Sequence, residues 1–237
     1  MTITLVQFQS GFGVPNPSPF CMKAEILLKM SGQDYESTII ADPGKAPKGK
    51  LPYIVDGSDT VADTALIRRH LEQKYGCDFD PGLSVADKAV SHALARMTEE
   101  RFYWTMVYSR WIDETNWPVI NKFWFGAMPP VIRNLIPIIA RRQVKANLKA
   151  HGIGRHDVQD IYGFGADDLA ALSAYLNDKQ FMFGDIPTSL DATAYPMIAN
   201  ALVEELPGPL LDAAKAHANF QPYIARCQQL WFPEPGG

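Results

Sequence analysis

The apolar pattern near the N-terminus predicts a strand followed by a capped helix. The strand covers residues 3–8, and a loop rich in Gly and Pro connects it to a helix over residues 18–30. Ser18 is a favourable N-cap residue, and Pro19 suits the first helical position because that position needs no N–H. Gly32 fits the left-handed residue that ends a helix. One face of the helix is apolar because four side chains recur at helical spacing: Phe20, Ala24, Leu27 and Leu28.

The next segments predict the rest of a small sheet and a second helix. Strand composition recurs at residues 35–40, 51–55 and 60–62. Pro52 is tolerated because it lies at the start of its strand, and a cis Leu51–Pro52 bond would turn the preceding backbone groups towards a ligand. Asp63 and Thr64 cap an amphipathic helix over residues 65–75.

Everything after a short linker at residues 77–84 predicts helices. Long helices cover residues 85–112, 131–150 and 166–177, and residues 151–157 are predicted to form a loop between the second and third. Thr188 and Asp191 have the spacing of a capping box and begin a further helix. The fold class is therefore an α/β domain over residues 1–76 followed by an all-α domain over residues 85–237.

Composition and charge narrow the class of protein. The chain has 237 residues, 47% of them hydrophobic, and a formal net charge of −4, which does not favour a nucleic-acid binder. The first residues lack the pattern of a signal peptide, and the longest apolar run, residues 131–140, is interrupted by charge and proline and is too short to span a membrane. Three cysteines far apart suit a reducing compartment, so we expect a cytoplasmic protein without disulfides.

The loop at residues 41–50 resembles a nucleotide-binding loop in spacing only. Residues 44–50 read Gly-x-x-x-x-Gly-Lys, but Leu51 replaces the Ser or Thr that would bind magnesium, and a strand follows where a helix is needed. The pattern therefore excludes a phosphate-binding loop. Lys48 and Lys50 suit either a small carboxylate or a solvated basic loop. No set of residues has the spacing of a metal site, so no metal is expected.

Two helix starts carry the candidate chemistry. The N-terminus of a helix presents free N–H groups and the positive end of its dipole, which together favour an anion. A hydroxyl at Ser18 could hold a thiolate there, and Cys21 is itself a thiol one turn further on, although both residues also fit a purely structural role. Asp63 and Thr64 place an acid and a hydroxyl at the second helix start, where they suit an ammonium group and its carboxylate.

The order of these elements resembles the thioredoxin-like domain of glutathione transferases. Ser18 to Cys21 stand where that superfamily carries its active-site residue, Leu51–Pro52 is similar to its cis-proline, and Asp63–Thr64 resembles its pair for the γ-glutamyl group. Residues 46–54, Ala-Pro-Lys-Gly-Lys-Leu-Pro-Tyr-Ile, resemble most the branch of failed axon connections and metaxins. Residues 181–191 resemble the N-capping element of the helical domain, Phe-x-x-Gly-x-x-Pro-Thr-x-x-Asp, so the likeness spans the whole chain.

The resemblance implies an enzyme that conjugates glutathione, as co-substrate, to an apolar electrophile. Ser18 would hold the thiolate, with Cys21 as the residue of an alternative thiol-transferase chemistry. The residues expected around glutathione are Lys48, Lys50, Leu51, Pro52, Asp63 and Thr64. The electrophile would lie against an aromatic surface on the first long helix: Tyr103, Tyr108 and Trp111.

Two further expectations concern partners. The same branch includes members used in membrane or protein association, so a non-catalytic adaptor or ligand carrier stays open as an alternative. The first long helix also has more aromatic surface than one cleft and one core need, and aromatic residues are enriched at interfaces. Members of the superfamily that this chain resembles usually form dimers, in which the thioredoxin-like domain of one chain contacts the helical domain of the other. Together with the aromatic surface, this resemblance predicts a homodimer.

Overall fold

The computed structural model describes residues 2–233, so Met1 and residues 234–237 of the two predicted domains lie outside it. Four strands form one mixed sheet in the order β2-β1-β3-β4: β1 (Ile3–Gln7), β2 (Tyr35–Ile39), β3 (Tyr53–Asp56) and β4 (Asp59–Ala62). β1 pairs in parallel with β2 and antiparallel with β3, and β3 pairs antiparallel with β4. The predicted thioredoxin-like α/β domain is confirmed.

The two helices of this domain begin and end at the residues that the sequence predicts. α1 (Pro19–Ser31) begins after Ser18 and ends at Gly32, whose φ of 68° is left-handed. α2 (Thr64–Tyr75) begins after Asp63 and ends at Gly76, with a φ of 69°. A Cβ at these φ values is disfavoured, which explains the two glycines.

The remainder is helical, as predicted, but several of its helices differ from those predicted. The helices are α3 (Val85–Met97), α4 (Tyr103–Trp111), α5 (Trp117–Phe125), α6 (Pro130–His151), α7 (Val158–Leu176), α8 (Ser189–Ala201), α9 (Pro209–Lys215) and α10 (Phe220–Trp231). A π-helical turn, Thr98–Phe102, divides the long helix predicted at 85–112. α5, α9 and α10 were not individually predicted, and α7 begins eight residues before the predicted start at residue 166.

Gly165 explains the earlier start of α7. A Cβ at Gly165 would lie 2.7 Å from Thr105 Cγ2, so the glycine lets α7 approach α4 closely. Thr105 in turn donates a hydrogen bond of 3.0 Å to the carbonyl oxygen of Ile161. Tertiary packing therefore stabilises a glycine-containing segment as helix, against its low intrinsic helix propensity.

One continuous hydrophobic core joins the two domains, and α1 lies at its centre. α1 packs on the sheet side against Leu5 and Ile54 and on the other side against α8. The linker is held as well, because the carbonyl of the buried Phe79 accepts a hydrogen bond from Ser189 N at 2.9 Å. Lys23 of α1 forms a buried ion pair of 2.6 Å with Glu99 in the π-helical turn. Within residues 2–233, no helix is both long and apolar enough to cross a bilayer.

The predicted capping box at α8 is fully buried. Asp191 has no exposed surface, and its carboxylate accepts hydrogen bonds from Thr188 N at 2.8 Å, Met182 N at 2.8 Å and Tyr223 OH at 3.0 Å. Burial raises the pKa of the Asp191 carboxyl, and these hydrogen bonds oppose that shift. The residue therefore connects three segments of the helical domain and belongs to its stability.

We expect Asp191→Ala to lower the free energy of unfolding by about 3–5 kcal/mol, because it leaves several buried donors without an acceptor. Thr188→Ala should cost about 1 kcal/mol, the usual effect of losing a cap. Urea denaturation measures both. Asp87→Ala is the matched control, since Asp87 occupies the same position of an exposed capping box with Ser84; a loss as large as that of Asp191→Ala would contradict the prediction.

A second buried carboxylate, Asp56, anchors the end of α2 to β3. Its oxygens lie 2.7 Å from His70 Nε2, 2.9 Å from Lys74 Nζ and 2.8 Å from Tyr75 OH. Burial alone would raise the pKa of Asp56, but the hydrogen bonds from Lys74, His70 and Tyr75 outweigh it and lower the pKa to about 2. The ionised form therefore stabilises the folded state, and this contribution is lost as the pH falls from about 4 to about 2.

Asp56→Asn should make the free energy of unfolding less dependent on pH in this acidic window. Relative to wild type, the variant should be less stable by about 1–2 kcal/mol at pH 7, after allowance for solvent around Lys74, and the difference should shrink to a few tenths of a kcal/mol at about pH 2. Urea denaturation at a series of pH values measures it. Asp59→Asn, which alters an exposed carboxylate 3.6 Å from the same lysine, should follow wild type; equal behaviour of the two variants would contradict this role for Asp56.

Candidate active site

Three segments meet at one edge of the sheet. β1 pairs with β3 at Val6 and Tyr53, and β3 pairs with β4 at Tyr53 and Ala62. Because both pairings are antiparallel, the start of β3 and the end of β4 lie beside the C-terminal end of β1. Pro52 comes directly before Tyr53 and Asp63 directly after Ala62, so both residues lie at this end of the sheet. The chain leaving β1 reaches α1 from the same edge, so the start of α1 completes the site.

Ser18 lies at the start of α1 with its hydroxyl oxygen directed to the helix backbone. Its Oγ accepts a hydrogen bond from Cys21 N at 3.4 Å, and the residue is half-buried. Asn16 holds the segment, because its Oδ1 accepts from Ser18 N at 2.9 Å and its Nδ2 donates to the carbonyl of Phe8 at 2.6 Å. Asn16 is buried and was not predicted as part of the site. An Asn two residues before a helix cap is a turn signal that could have indicated it.

Cys21 lies behind Ser18 and is not exposed at all. It packs in a small cluster with Val6, Ala46 and Leu51. Burial raises the pKa of the Cys21 thiol to about 11, although its contacts with Ser18 and Phe8 act in the opposite direction. The thiol is therefore protonated at neutral pH and out of reach of a substrate, which removes support from the catalytic role expected for Cys21.

The Leu51–Pro52 peptide bond is cis, as the sequence analysis anticipated. Both residues are buried, and Leu51 shares the cluster of Cys21, so this loop lies against the start of α1. Lys48 and Lys50 precede it on an exposed stretch of the loop, and neither forms an ion pair with any residue in the range 2–233. The loop thus offers two free cations next to the site.

Asp63 has an unusual backbone conformation for a residue with a side chain. Its φ of 99° and ψ of 130° are strained values, and its Oδ1 accepts a hydrogen bond from Ala65 N at 2.8 Å. The carboxylate is exposed, whereas Thr64 beside it is buried. Strain of this kind persists where the surrounding structure requires it and is concentrated at functional sites.

Arg110 binds the residue directly before Ser18, and the sequence analysis did not predict it as part of the site. Its guanidinium is buried and donates hydrogen bonds to the carbonyl of Pro17 at 2.6 Å and to Asn200 Oδ1 at 2.8 Å. Burial lowers the pKa of Arg110 to about 10, so it stays charged at neutral pH. Among residues 2–233 it forms no ion pair with a carboxylate. Its charge is therefore uncompensated and lies next to the start of α1.

The three aromatic residues predicted to bind the electrophile pack around one hydrophobic cluster but make different aromatic contacts. Tyr103 packs edge-on against Phe20 of α1, with ring centroids 4.8 Å apart. Tyr108 instead contacts Tyr162 at 5.9 Å, and Trp111 contacts Trp117 at 5.7 Å. Of the three, only Tyr103 forms an aromatic contact with α1.

The unpredicted helix α5 covers the loop that leads to Ser18. Phe8 packs against Trp124 with ring centroids 4.8 Å apart, and Phe12 packs against Phe123 at 4.5 Å. A Cβ at Gly11 would lie 2.3 Å from Phe123 Cε2, so this glycine makes room for the ring. The aromatic surface near Ser18 is therefore formed by α5 and the loop, in addition to Tyr103.

Comparison with known proteins agrees with this architecture. A family model described as the glutathione S-transferase N-terminal domain matches residues 19–116, and one described as the glutathione S-transferase C-terminal domain matches residues 165–227. A glutathione transferase family member from Pseudomonas fluorescens Pf-5, solved with two glutathione bound, superposes with a TM-score of 0.63 at 15% identity, over 97% of this chain and 92% of that chain. At this identity the likeness concerns the fold alone.

Relatives at higher identity cover most of the chain. Failed axon connections from Drosophila melanogaster is 32% identical over 98% of this chain, which spans 58% of the length of that protein. Isoprene-epoxide–glutathione S-transferase from Rhodococcus sp. (strain AD45) is 31% identical over 81% of this chain and 84% of its own. Metaxin-1 from Macaca fascicularis is 27% identical over 97% of this chain and 75% of its own. The chain therefore belongs to the glutathione transferase family, and its predicted resemblance to failed axon connections and the metaxins is confirmed.

Proposed function

We propose that this protein binds glutathione at the start of α1 and conjugates its thiolate to an apolar electrophile. The observation that carries the proposal is the half-buried hydroxyl of Ser18 at a helix N-terminus. The guanidinium of Arg110, which has no carboxylate partner among residues 2–233, donates a hydrogen bond to the carbonyl of Pro17, the residue directly before Ser18. Pro52 and Asp63 come from two other segments at the same edge of the sheet. Glutathione is the co-substrate, and the reaction needs no metal.

The available interactions are large enough to ionise a thiol. An ordinary thiol has a pKa near 8.5, so lowering it by about two units requires about 2.7 kcal/mol of preferential stabilisation of the thiolate. One hydrogen bond to a charged acceptor contributes about 1.5–3 kcal/mol, and a helix dipole adds about 0.3–1 kcal/mol. Ser18 and the start of α1 together therefore reach the required size without a further group.

The remaining assignments follow from position and charge. Asp63 would accept the ammonium of the γ-glutamyl group, with Thr64 beside it, and the backbone at Leu51–Pro52 would pair with the central peptide. Lys48 or Lys50 would lie near the glycine carboxylate. We place the electrophile against Tyr103 and the aromatic residues of α5, rather than against Tyr108 and Trp111, which pack against other residues of the chain. The name of the Rhodococcus relative, which specifies an epoxide, supports an electrophilic substrate.

A non-catalytic ligand carrier or adaptor is the second candidate. The similarity to failed axon connections and metaxin-1 favours it, because neither name states an enzymatic activity.

The homodimer is a proposal that rests on family membership. The aromatic residues of the first long helix do not add support for a homodimer, because Tyr103, Tyr108 and Trp111 pack within the chain.

Three unpaired cysteines support the proposed reducing, cytoplasmic compartment.

The charge of Asp63 provides a test of binding. We expect the protein to be retained on immobilised glutathione and eluted by free glutathione, and Asp63→Asn to weaken binding in calorimetry by about 1–3 kcal/mol, the value of a hydrogen bond to a charged group. Asn caps a helix as well as Asp does, so the fold should not change.

Asp78→Asn is the matched control, because Asp78 is an exposed carboxylate that likewise accepts a hydrogen bond from the N–H two residues on. An affinity for glutathione that is unchanged in Asp63→Asn would remove Asp63 from the site. A wild-type protein that washes through the glutathione column would favour the adaptor.

The second prediction separates serine chemistry from cysteine chemistry. Ser18→Ala should raise the pKa of bound glutathione by about one to two units from its proposed value of about 6.5, and so reduce the thiolate fraction at pH 7 by about 3–25-fold. Cys21→Ser should leave this pKa and the conjugation rate unchanged. The ultraviolet absorbance of the thiolate against pH gives the pKa, and a dinitrochlorobenzene probe gives the rate.

Cys227→Ser controls for the general effect of altering a buried cysteine, since Cys227 is also inaccessible. If Cys21→Ser abolished activity while Ser18→Ala and Cys227→Ser did not, the thiol-transferase alternative would be correct and the conjugation mechanism proposed above would be wrong.

A further inference from the structure

The first half of α6 exposes aliphatic side chains that the fold does not use. Their exposed fractions run from 37% to 65%: Ile132, Leu135, Ile136, Ile138 and Ile139. The buried residues of the same helix are Pro137 and Leu148, which face the protein. At about 100° per residue, Ile132, Leu135 and Ile139 point to the opposite side of the helix. Exposed apolar patches of this kind mark interaction sites.

The segment around α6 is strongly basic in a protein that is otherwise acidic. Residues 115–156 contain seven Lys and Arg and no Asp or Glu, so the other residues carry 15 basic and 26 acidic side chains. The formal net charge of −4 therefore hides a separation into a positive segment and a negative remainder. Charge asymmetry of this kind indicates an anionic partner for the segment.

The cations of α6 continue the exposed surface beyond the aliphatic residues. Arg142, Lys145 and Lys149 follow Ile138 at spacings of three and four, so they share its side of the helix. Within residues 2–233 none of the three forms an ion pair, whereas Arg141 pairs with Glu114 at 2.7 Å. α6 thus exposes an aliphatic half and a cationic half, one after the other.

A shallow cavity lies where the two halves meet. It has a volume of about 350 Å³ and is lined by Ile138, Arg142, Lys145 and Trp117, with Arg141 and its partner Glu114 at one side. Aliphatic, indole and cationic groups in one depression suit the boundary between acyl chains and charged headgroups, where Trp, Lys and Arg are favoured.

We infer that α6 is the surface by which this protein binds an anionic phospholipid bilayer. Its aliphatic half enters the headgroup boundary, and its cationic half contacts lipid phosphates. The helix lies on the bilayer and does not cross it, since no helix within residues 2–233 is able to span a membrane. A twofold contact between two copies of α6 fits less well, because α6 contains no Asp or Glu and a second copy of it therefore offers these cations no opposite charge. The inference is independent of glutathione binding.

Vesicle sedimentation tests it with the whole protein. We expect binding to vesicles of phosphatidylcholine mixed equally with phosphatidylserine, and much weaker binding to pure phosphatidylcholine or at high salt. Arg142→Gln/Lys145→Gln should lower the partition coefficient about 30-fold, and Leu135→Gln/Ile139→Gln about 100-fold. Gln keeps a good helix propensity, so circular dichroism and melting temperature should match wild type.

Two double variants of exposed residues elsewhere serve as matched controls. Arg69→Gln/Lys88→Gln removes the same charge, and Ile186→Gln/Leu230→Gln removes similar apolar surface; both should bind vesicles as wild type does. Equal binding to both vesicle compositions, or binding that survives the α6 variants, would overturn the inference. So would light scattering that shows a dimer dissociated by Leu135→Gln/Ile139→Gln, since the face would then be covered by a second copy.

Discussion

The burial of α1 between the sheet and α8 is the constraint on which the rest of the structure depends. A helix covered on both sides cannot shift without opening both domains, so the start of α1 is held in place against the end of β1 and the loop before β3. The polar groups in this contact have partners: Lys23 forms an ion pair with Glu99, and Arg110, which has no carboxylate partner, donates hydrogen bonds to Pro17 and Asn200. Breaking either contact would leave a buried charge without its partner, which is costly. The same polar contacts therefore hold the domains together and position Ser18.

Features that depend on neighbouring residues were predictable from the sequence. The caps at Ser18, Asp63 and Thr188 and the glycine at position 32 act within one turn of a helix, so their residue types alone indicate the boundaries. The order of strands and helices was predictable for the same reason. The buried position of Asp191 in its capping box, in contrast, depends on Met182 and Tyr223, which only the folded chain brings near.

Features that depend on distant partners were not predictable. Arg110 reads as an ordinary surface residue until the fold places Pro17 and Asn200 around it, 93 and 90 residues away in the chain. The glycines of α7 read as helix breakers, but Gly165 is what allows the helix to contact Thr105. α5 was missed because it has only nine residues and no side-chain cap marks its start. Tyr108 and Trp111 were assigned to a substrate site from their type, whereas their position along α4 directs them to other aromatic residues.

The arrangement around Ser18 also gives a direction to the proposed chemistry. The Ser18 oxygen accepts a hydrogen bond from Cys21 N, and a hydroxyl that accepts one bond can still donate its proton, which in the proposed reaction goes to the bound sulfur. Arg110 cannot approach that sulfur, since its guanidinium is occupied by Pro17 and Asn200, but it holds Pro17, the residue directly before Ser18. Cys21 contributes its backbone N–H to this arrangement and keeps its thiol in the core. In the proposed reaction, a serine supported in this way would stabilise a thiolate brought by a ligand, whereas a buried thiol at position 21 would have to leave the core before it could react.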